Sequence, residues 1–235
     1  MRECVNVLVK RLFIALFCLW TCVPVEAQYY DFTATAPTGQ TLYFMILPDG
    51  VGVTHPGWDE HNPWQGYTKP SGTLEIPAQV RWGDSLYAVV ELSSLCFLEC
   101  NDLTALVLPP TLRRIERYAV AGCRGLRGAL VVPGGVEVVG NYAFCCSWMD
   151  AVVLPPSLKK IGYSAFQDCQ RLAFVEVPSS VVAIGKDAFL YVPSVRYHGA
   201  ASGAPWGAAV LNGRATAASL GSFLPHATRH GGSGK

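Results

Sequence analysis

The stretch Val152–Cys169, VVLPPSLKKIGYSAFQDC, sets its features in a fixed order: an apolar run closed by proline, an apolar pair at Leu158 and Ile161, a glycine, and a closing Ala-Phe-x-x-Cys. The same phrasing recurs on both sides of it. Upstream, Leu106–Cys123 reads LVLPPTLRRIERYAVAGC, and downstream Val175–Phe189 reads VEVPSSVVAIGKDAF. Cys100, Cys123, Cys146 and Cys169 follow one another at intervals of 23 residues. A fixed period of this size is the mark of a repeat architecture, and it has to be recognised before any site is argued.

Aligned on the cysteines, the units begin at Leu103, Leu126, Met149 and Leu172, and a proline closes each apolar run at Pro109, Pro133, Pro155 and Pro178. The second unit carries an extra residue before its proline and one fewer after it, so that Cys145 and Cys146 stand doubled. A longer unit opens earlier, at Gly72–Pro77 (GTLEIP), and contains a hairpin signal at Gly83-Asp84. No unit is large enough to bury its own apolar side, so each stacks on its neighbours in a solenoid. The expected fold is therefore an α/β-type solenoid, mostly β, with about five 23-residue coils, a parallel sheet on one face and an N-terminal β cap.

Alternation along the strands points Leu106 and Leu108, Leu130 and Val132, Val152 and Leu154, and Val175 and Val177 inward. The pairs Leu112/Ile115, Val136/Val139, Leu158/Ile161 and Val181/Ile184 then close each coil from the other side. Gly140, Gly162 and Gly185 are read as a turn whose backbone other residues tolerate poorly. Phe97, Phe144, Phe166 and Phe189 form a column in the core, each burial contributing about 1.5–3 kcal/mol, with Val120 as the exception. Cys100, Cys123, Cys146 and Cys169 form a second ladder beside it.

These units resemble the leucine-rich repeat of the BspA type, the cysteine-containing class of bacterial surface proteins. The resemblance covers residues 72–195 and extends to YYDFTATAPTGQTLYFMI (Tyr29–Ile46) and RYHGAASGAPWGAAVLNG (Arg196–Gly213), which are similar to segments flanking such repeats. It implies adhesion to host extracellular or bacterial surface components, as described for some members, although a fold by itself does not settle function.

The first 27 residues read as a signal peptide: Lys10 and Arg11 precede an apolar run from Leu12 to Val25, and Val25 and Ala27 are small enough for cleavage. That run is 14 residues long, short of the roughly 18 a spanning helix needs, so no integral membrane span is expected after cleavage. Residues 28–71 are assigned to the cap, 72–198 to the solenoid, 199–213 to a C-terminal flank and 214–235 to a disordered tail rich in Ala, Gly and Ser. The expected location is secreted or on the cell surface.

Charge is unevenly distributed. Residues 28–102 hold nine acids and two bases, and residues 103–235 hold thirteen bases and six acids. The bases are not gathered in one run and show no nucleic-acid motif, so nucleic acid is not an expected partner. The polarity suits head-to-tail contacts, which gives an alternative reading of the chain as a self-assembly module.

Four cysteines in a row on successive coils do not converge as a tetrahedral zinc site requires, and no metal or cofactor is expected. Stacked strands about 4.7–4.9 Å apart are close enough for disulfides, but a ladder points its side chains in parallel. Buried thiols are the favoured reading, with Cys96 to Cys100, or Cys145, left open as disulfide positions. None of the five histidines (His55, His61, His198, His226, His230) falls within residues 72–195, so the repeats offer no Cys-His pair for nucleophilic catalysis. In the cap, His55–Trp64 (HPGWDEHNPW) gathers two histidines with Asp59 and Glu60, without a recognised metal spacing, and is read as a loop whose tryptophans cover the end of the core. The basic pairs Arg113-Arg114 and Lys159-Lys160 are read as a solvated face.

What remains is the outward side of the strands. Glu75, Val107, Val131, Val153 and Glu176 line up there, beside Thr73, Ala105, Ala129, Ala151 and Phe174. An apolar stripe rimmed by charge marks an interaction surface, so the expected function is non-catalytic binding of a protein or glycan.

Overall fold

The computed structural model describes residues 29–215, and its regular structure there is β-strand throughout, with no helix. The solenoid is therefore purely β, without the helical component that an α/β-type coil would have. No helix among the described residues is long and apolar enough to cross a membrane. The signal segment and the chain beyond Ala215 lie outside the described residues.

In the cap, strands β1 (Phe32–Thr35), β2 (Thr41–Leu47) and β3 (Gly50–Thr54) form an antiparallel meander, and Phe32 lies across from Phe44 with rings stacked at 5.2 Å. After β4 (Gly72–Glu75), strands β5 (Gln79–Trp82) and β6 (Ser85–Leu92) make the hairpin that Gly83-Asp84 announced. Each following coil then gives one longer and one short strand. The first coil has β7 (Leu103–Val107) and β8 (Arg114–Ile115), the second β9 (Ala129–Val131) and β10 (Val138–Val139). The third has β11 (Ala151–Val153) and β12 (Lys160–Ile161), the fourth β13 (Phe174–Glu176) and β14 (Ala183–Ile184). The chain closes with β15 (Ser194–Arg196), β16 (Val210–Leu211) and β17 (Arg214–Ala215). Residues 214 and 215, assigned to the tail from sequence, are thus paired strand.

The unbroken sheet is not on the side the sequence suggested. The short strands of the coils form it together with the cap strands and β6, in the order β1-β2-β3-β6-β8-β10-β12-β14 with β5 on β6, so cap and coils share one ladder. The longer strands fall into three groups, β4-β7, β9-β11 and β13-β15-β16-β17. One break has a visible cause. The extra residue of the second unit falls at Gly128, in the left-handed region at φ 69, with its amide bound by the Asp150 carboxylate at 2.7 Å. Asp150 and Ala151 in turn donate to the Gly128 carbonyl, which ties β9 toward β11, while a single bond from the Arg127 amide to the Thr104 carbonyl reaches back across the break.

Inward alternation holds: Leu106, Leu130, Val132, Val152, Leu154, Val175 and Val177 are buried, as are Leu112, Ile115, Val136, Val139, Leu158, Ile161 and Val181. Leu108 and Ile184 are half-buried and pack against the same core. Phe144, Phe166 and Phe189 stack in sequence at 5.3 and 5.6 Å. Phe97 is equally buried, separated from that stack by the coil of Val120.

The turns carrying these rings form a third ladder. Amides two before, at, and two after the Phe position donate to the next coil, as in Tyr142 to Tyr163, Phe144 to Ala165 and Cys146 to Gln167. The flanking residues are left-handed in every coil: Leu95 and Glu99, Tyr118 and Gly122, Tyr142 and Cys146, Ser164 and Asp168, Asp187 and Tyr191. Gly140, Gly162 and Gly185 are not in that region. Their requirement is close approach, since a Cβ there would lie 2.7, 2.5 and 2.4 Å from the backbone of the preceding coil.

The cysteine ladder also changes. The rung lies three residues after the Phe position, which gives Cys100, Cys123, Ser147 and Cys169, because the compensating one-residue deletion falls after the rung rather than before it. Cys146 occupies the left-handed position instead, half-buried, and Ser147 is fully buried in its place.

Candidate interaction face

The longer strands present one residue in two to solvent, and the side chains exposed by the pleat are apolar in three coils running. Val107, Val131 and Val153 are 49%, 58% and 52% exposed, and Phe174 in the next coil is 41% exposed. The pairing register sets Val107 beside Glu75, Val131 beside Val153, and Glu176 beside Arg196. All six residues expected at this face, Glu75, Val107, Val131, Val153, Phe174 and Glu176, are therefore exposed on the same side of their strands.

Two residues of this face were missed from sequence. Arg196 extends the charged rim, with its guanidinium 3.6 Å from Glu176 and 5.4 Å from the centre of the Phe174 ring. His198 joins Val153, Leu154, Pro178 and Arg196 around a groove of about 550 Å³ at the C-terminal end of the stripe. The signal for both was the run Ser194–Tyr197, which repeats the out-in alternation of Phe174–Val177 without its proline. No ladder pairing joins β11 to β13, where this groove opens.

The other candidate chemistries come apart in the structure. His55 is fully buried and stacked on Tyr29 at 4.1 Å, and burial pushes its pKa down. His61 is exposed, 3.4 Å from the Asp59 carboxylate. Trp64 is buried as expected, whereas Trp58 stands 58% exposed and meets the Tyr29 ring edge-on. Among the described residues no group of three His, Cys, Asp or Glu converges in a way that holds a metal ion.

The rungs have a chemistry beyond packing. The Cys123 thiol donates to the Phe97 carbonyl at 3.0 Å and the Cys169 thiol to the Phe144 carbonyl at 3.1 Å. The Ser147 hydroxyl donates to the Val120 carbonyl, the corresponding group of its own preceding coil. What the position selects is a small donor aimed backward, and a serine meets that need as well as a cysteine. Burial pushes Cys123 up to about 12 and raises Cys96, Cys100 and Cys169 as well, so these thiols stay protonated at neutral pH. All six described cysteines are free.

Arg114 was expected on a solvated face with Arg113. It instead joins cap to coil, with a two-bond fork to Asp49 at 2.9 and 3.0 Å and a third bond to Glu91 at 2.8 Å. Part of the acid-base polarity of the chain is thus satisfied inside the molecule.

Comparison with known proteins agrees with this geometry. Residues 86–196 match the model of the BspA type leucine rich repeat region in six copies, one more than the coils counted from sequence. A leucine rich repeat protein of T. pallidum is similar in structure, with a TM-score of 0.54 and 24% identity over 81% of each chain. The pneumococcal vaccine antigen PcpA aligns over 80% of this chain and 53% of its own, with a TM-score of 0.49 and 14% identity. A leucine-rich repeat protein from Bacteroides ovatus aligns over 71% of this chain and 59% of its own, with a TM-score of 0.34 and 17% identity. No curated protein matches the sequence. The repeated coils, their ring column and their backward-donating rungs, with this match, make residues 86–196 a BspA-type leucine-rich repeat region.

Proposed function

We propose that the protein is exported and acts without catalysis, binding a protein or glycan on the outward side of its longer strands. The observation that carries this reading is the row Val107, Val131 and Val153, about half exposed in three successive coils. Glu75, Phe174, Glu176 and Arg196 rim it with charge and an aromatic ring. A monomer gains nothing by holding such a row in water, whereas a partner that covers it gains the burial of each side chain. Leucine-rich repeat proteins generally bind protein partners, which favours a protein over a glycan, and the family is one of surface proteins.

Export rests on the signal-like N-terminus, Lys10-Arg11 followed by the apolar run to Val25. The self-assembly reading loses ground because Arg114 of the basic half already pairs with Asp49 and Glu91 of the acidic half within the chain.

The test replaces Val107, Val131 and Val153 together with glutamate and compares capture of extracellular-matrix components and of bacterial surface extracts with that of the unsubstituted protein. Binding is expected to disappear while the unfolding midpoint stays in place. Undiminished binding by a folded triple variant places the site elsewhere.

A further inference from the structure

Cys145 and Cys146 are adjacent in sequence, their Sγ atoms lie 3.3 Å apart, and both are only half-buried. The other four described cysteines are fully buried, and three of them donate to a carbonyl at 3.0–3.3 Å: Cys96 to Ala119, Cys123 to Phe97 and Cys169 to Phe144. Cys146 has no such duty, because Ser147 holds its rung. Its coil position is filled elsewhere by Glu99, Gly122, Asp168 and Tyr191, so packing does not ask for a thiol there.

We propose that Cys145 and Cys146 are a modification site, a dithiol that closes reversibly to a vicinal disulfide on reaction with an oxidised dithiol protein or a low-molecular-weight disulfide. In the closing step one thiol attacks the incoming disulfide and releases one of its halves as a thiol. The neighbouring cysteine then attacks the mixed disulfide and releases the other half. The pair loses two protons and two electrons, and the reagent takes up both as two thiols.

The turn that carries the pair is held in place by its neighbours. The Cys145 carbonyl accepts the Gly122 amide at 2.8 Å and the Cys146 amide donates to the Gln167 carbonyl at 2.8 Å, so the turn is clamped from both neighbouring coils. Burial and the adjacent thiol push Cys145 up to about 12. Cα atoms joined by one trans peptide are about 3.8 Å apart, below the roughly 4.4–6.8 Å of ordinary disulfides. The closed form is accordingly strained and easily reduced, as suits a reversible site rather than a structural bond. The inference does not depend on the binding face.

The Gly128–Lys159 tryptic peptide contains these two cysteines and no other, which isolates them from the rest of the chain. The full-length folded protein is titrated with oxidised glutathione, quenched in acid, alkylated, digested and weighed. The peptide is expected two hydrogens lighter and unalkylated, and dithiothreitol should restore two alkylation sites. In Cys145→Ser a lasting glutathione adduct on Cys146 should replace the closed ring. Two alkylated cysteines at saturating oxidant, a lasting adduct in the unsubstituted protein, a link to a second chain, or an unmodified Cys146 in the variant would each overturn the proposal.

Discussion

On the short-strand side, Val138–Val139, Lys160–Ile161 and Ala183–Ile184 pair coil to coil without a gap and connect back through β6 and β3 to the cap. On the long-strand side, similar aliphatic residues fall into three separate groups and leave valines in water. Both sides have high β propensity, so propensity does not decide which one holds the solenoid together. Glycines at 140, 162 and 185 let backbones approach on the continuous side, and the inserted Gly128 interrupts the pairing of β7 with β9 on the other. Stability should therefore concentrate on the core and the continuous ladder, and the open face should be free to change.

Phe166 offers the largest test of that division. It is fully buried between Phe144 and Phe189, and Phe166→Ala should cost about 3–5 kcal/mol in denaturant unfolding. Phe174→Ala removes the same ring from the open face and should cost about 0.5 kcal/mol or less. Equal losses at the two positions would erase the distinction.

Glycine substitutions sharpen it further. Gly162→Ala places a methyl 2.5 Å from the Asn141 amide nitrogen, and such overpacking costs about 1–3 kcal/mol. Gly134→Ala has open space around it and a backbone outside the left-handed region, so it should be neutral or stabilising by up to about 1 kcal/mol. Thermal unfolding of the two variants side by side reads the contrast directly.

The rungs predict a smaller effect. Cys169→Ser keeps a donor for the Phe144 carbonyl and should fold with stability close to the parent, as the native Ser147 implies. Cys169→Ala loses that bond and should be less stable than Cys169→Ser by about 0.5–1.5 kcal/mol. A serine variant no better than alanine would reduce the rung to volume alone.

Period, ring column and inward faces were legible because they depend only on which residues recur and on the two-residue pleat. The rung at position 147 was misread because alignment on identical cysteines placed the compensating deletion before the rung rather than after it. Alignment on the ring column shows the true placement, since Val120 to Phe144 is one residue longer than Phe97 to Val120 and Phe144 to Phe166 one shorter. The glycines were recognised as constrained but for the wrong reason, since contact with the preceding coil is a property of stacking that one coil cannot show. The continuous sheet was placed on the wrong side for a related cause. Two-residue strands carry almost no alternation signal, and their pairing is fixed only when the coils stack. Of the face itself, the apolar row could be read by parity, and so could Arg196 and His198 from the run Ser194–Tyr197, but the repeat loses its proline there and the marker of the strand goes with it.

The smallest effect belongs to the joint between cap and continuous ladder. Its bond to Arg114 holds the Asp49 carboxyl below its ordinary value, and the pair is partly exposed, so solvent screening limits its contribution to about 1 kcal/mol or less. A carboxyl whose pKa is lower folded than unfolded stabilises the fold above its unfolded value, near 3.9, and that contribution fades as pH falls through the folded value. Asp49→Asn should therefore lower the melting temperature slightly at neutral pH and low salt, and the gap to the parent should close in acid and in high salt. If the gap persists at high salt, Asp49 matters through its hydrogen bonds rather than its charge. Because Glu91 also binds Arg114 and sits on β6, within the ladder itself, Arg114→Met should exceed Asp49→Asn in effect and loosen the cap from the first coil, which hydrogen exchange at Leu92 and Ile115 would report.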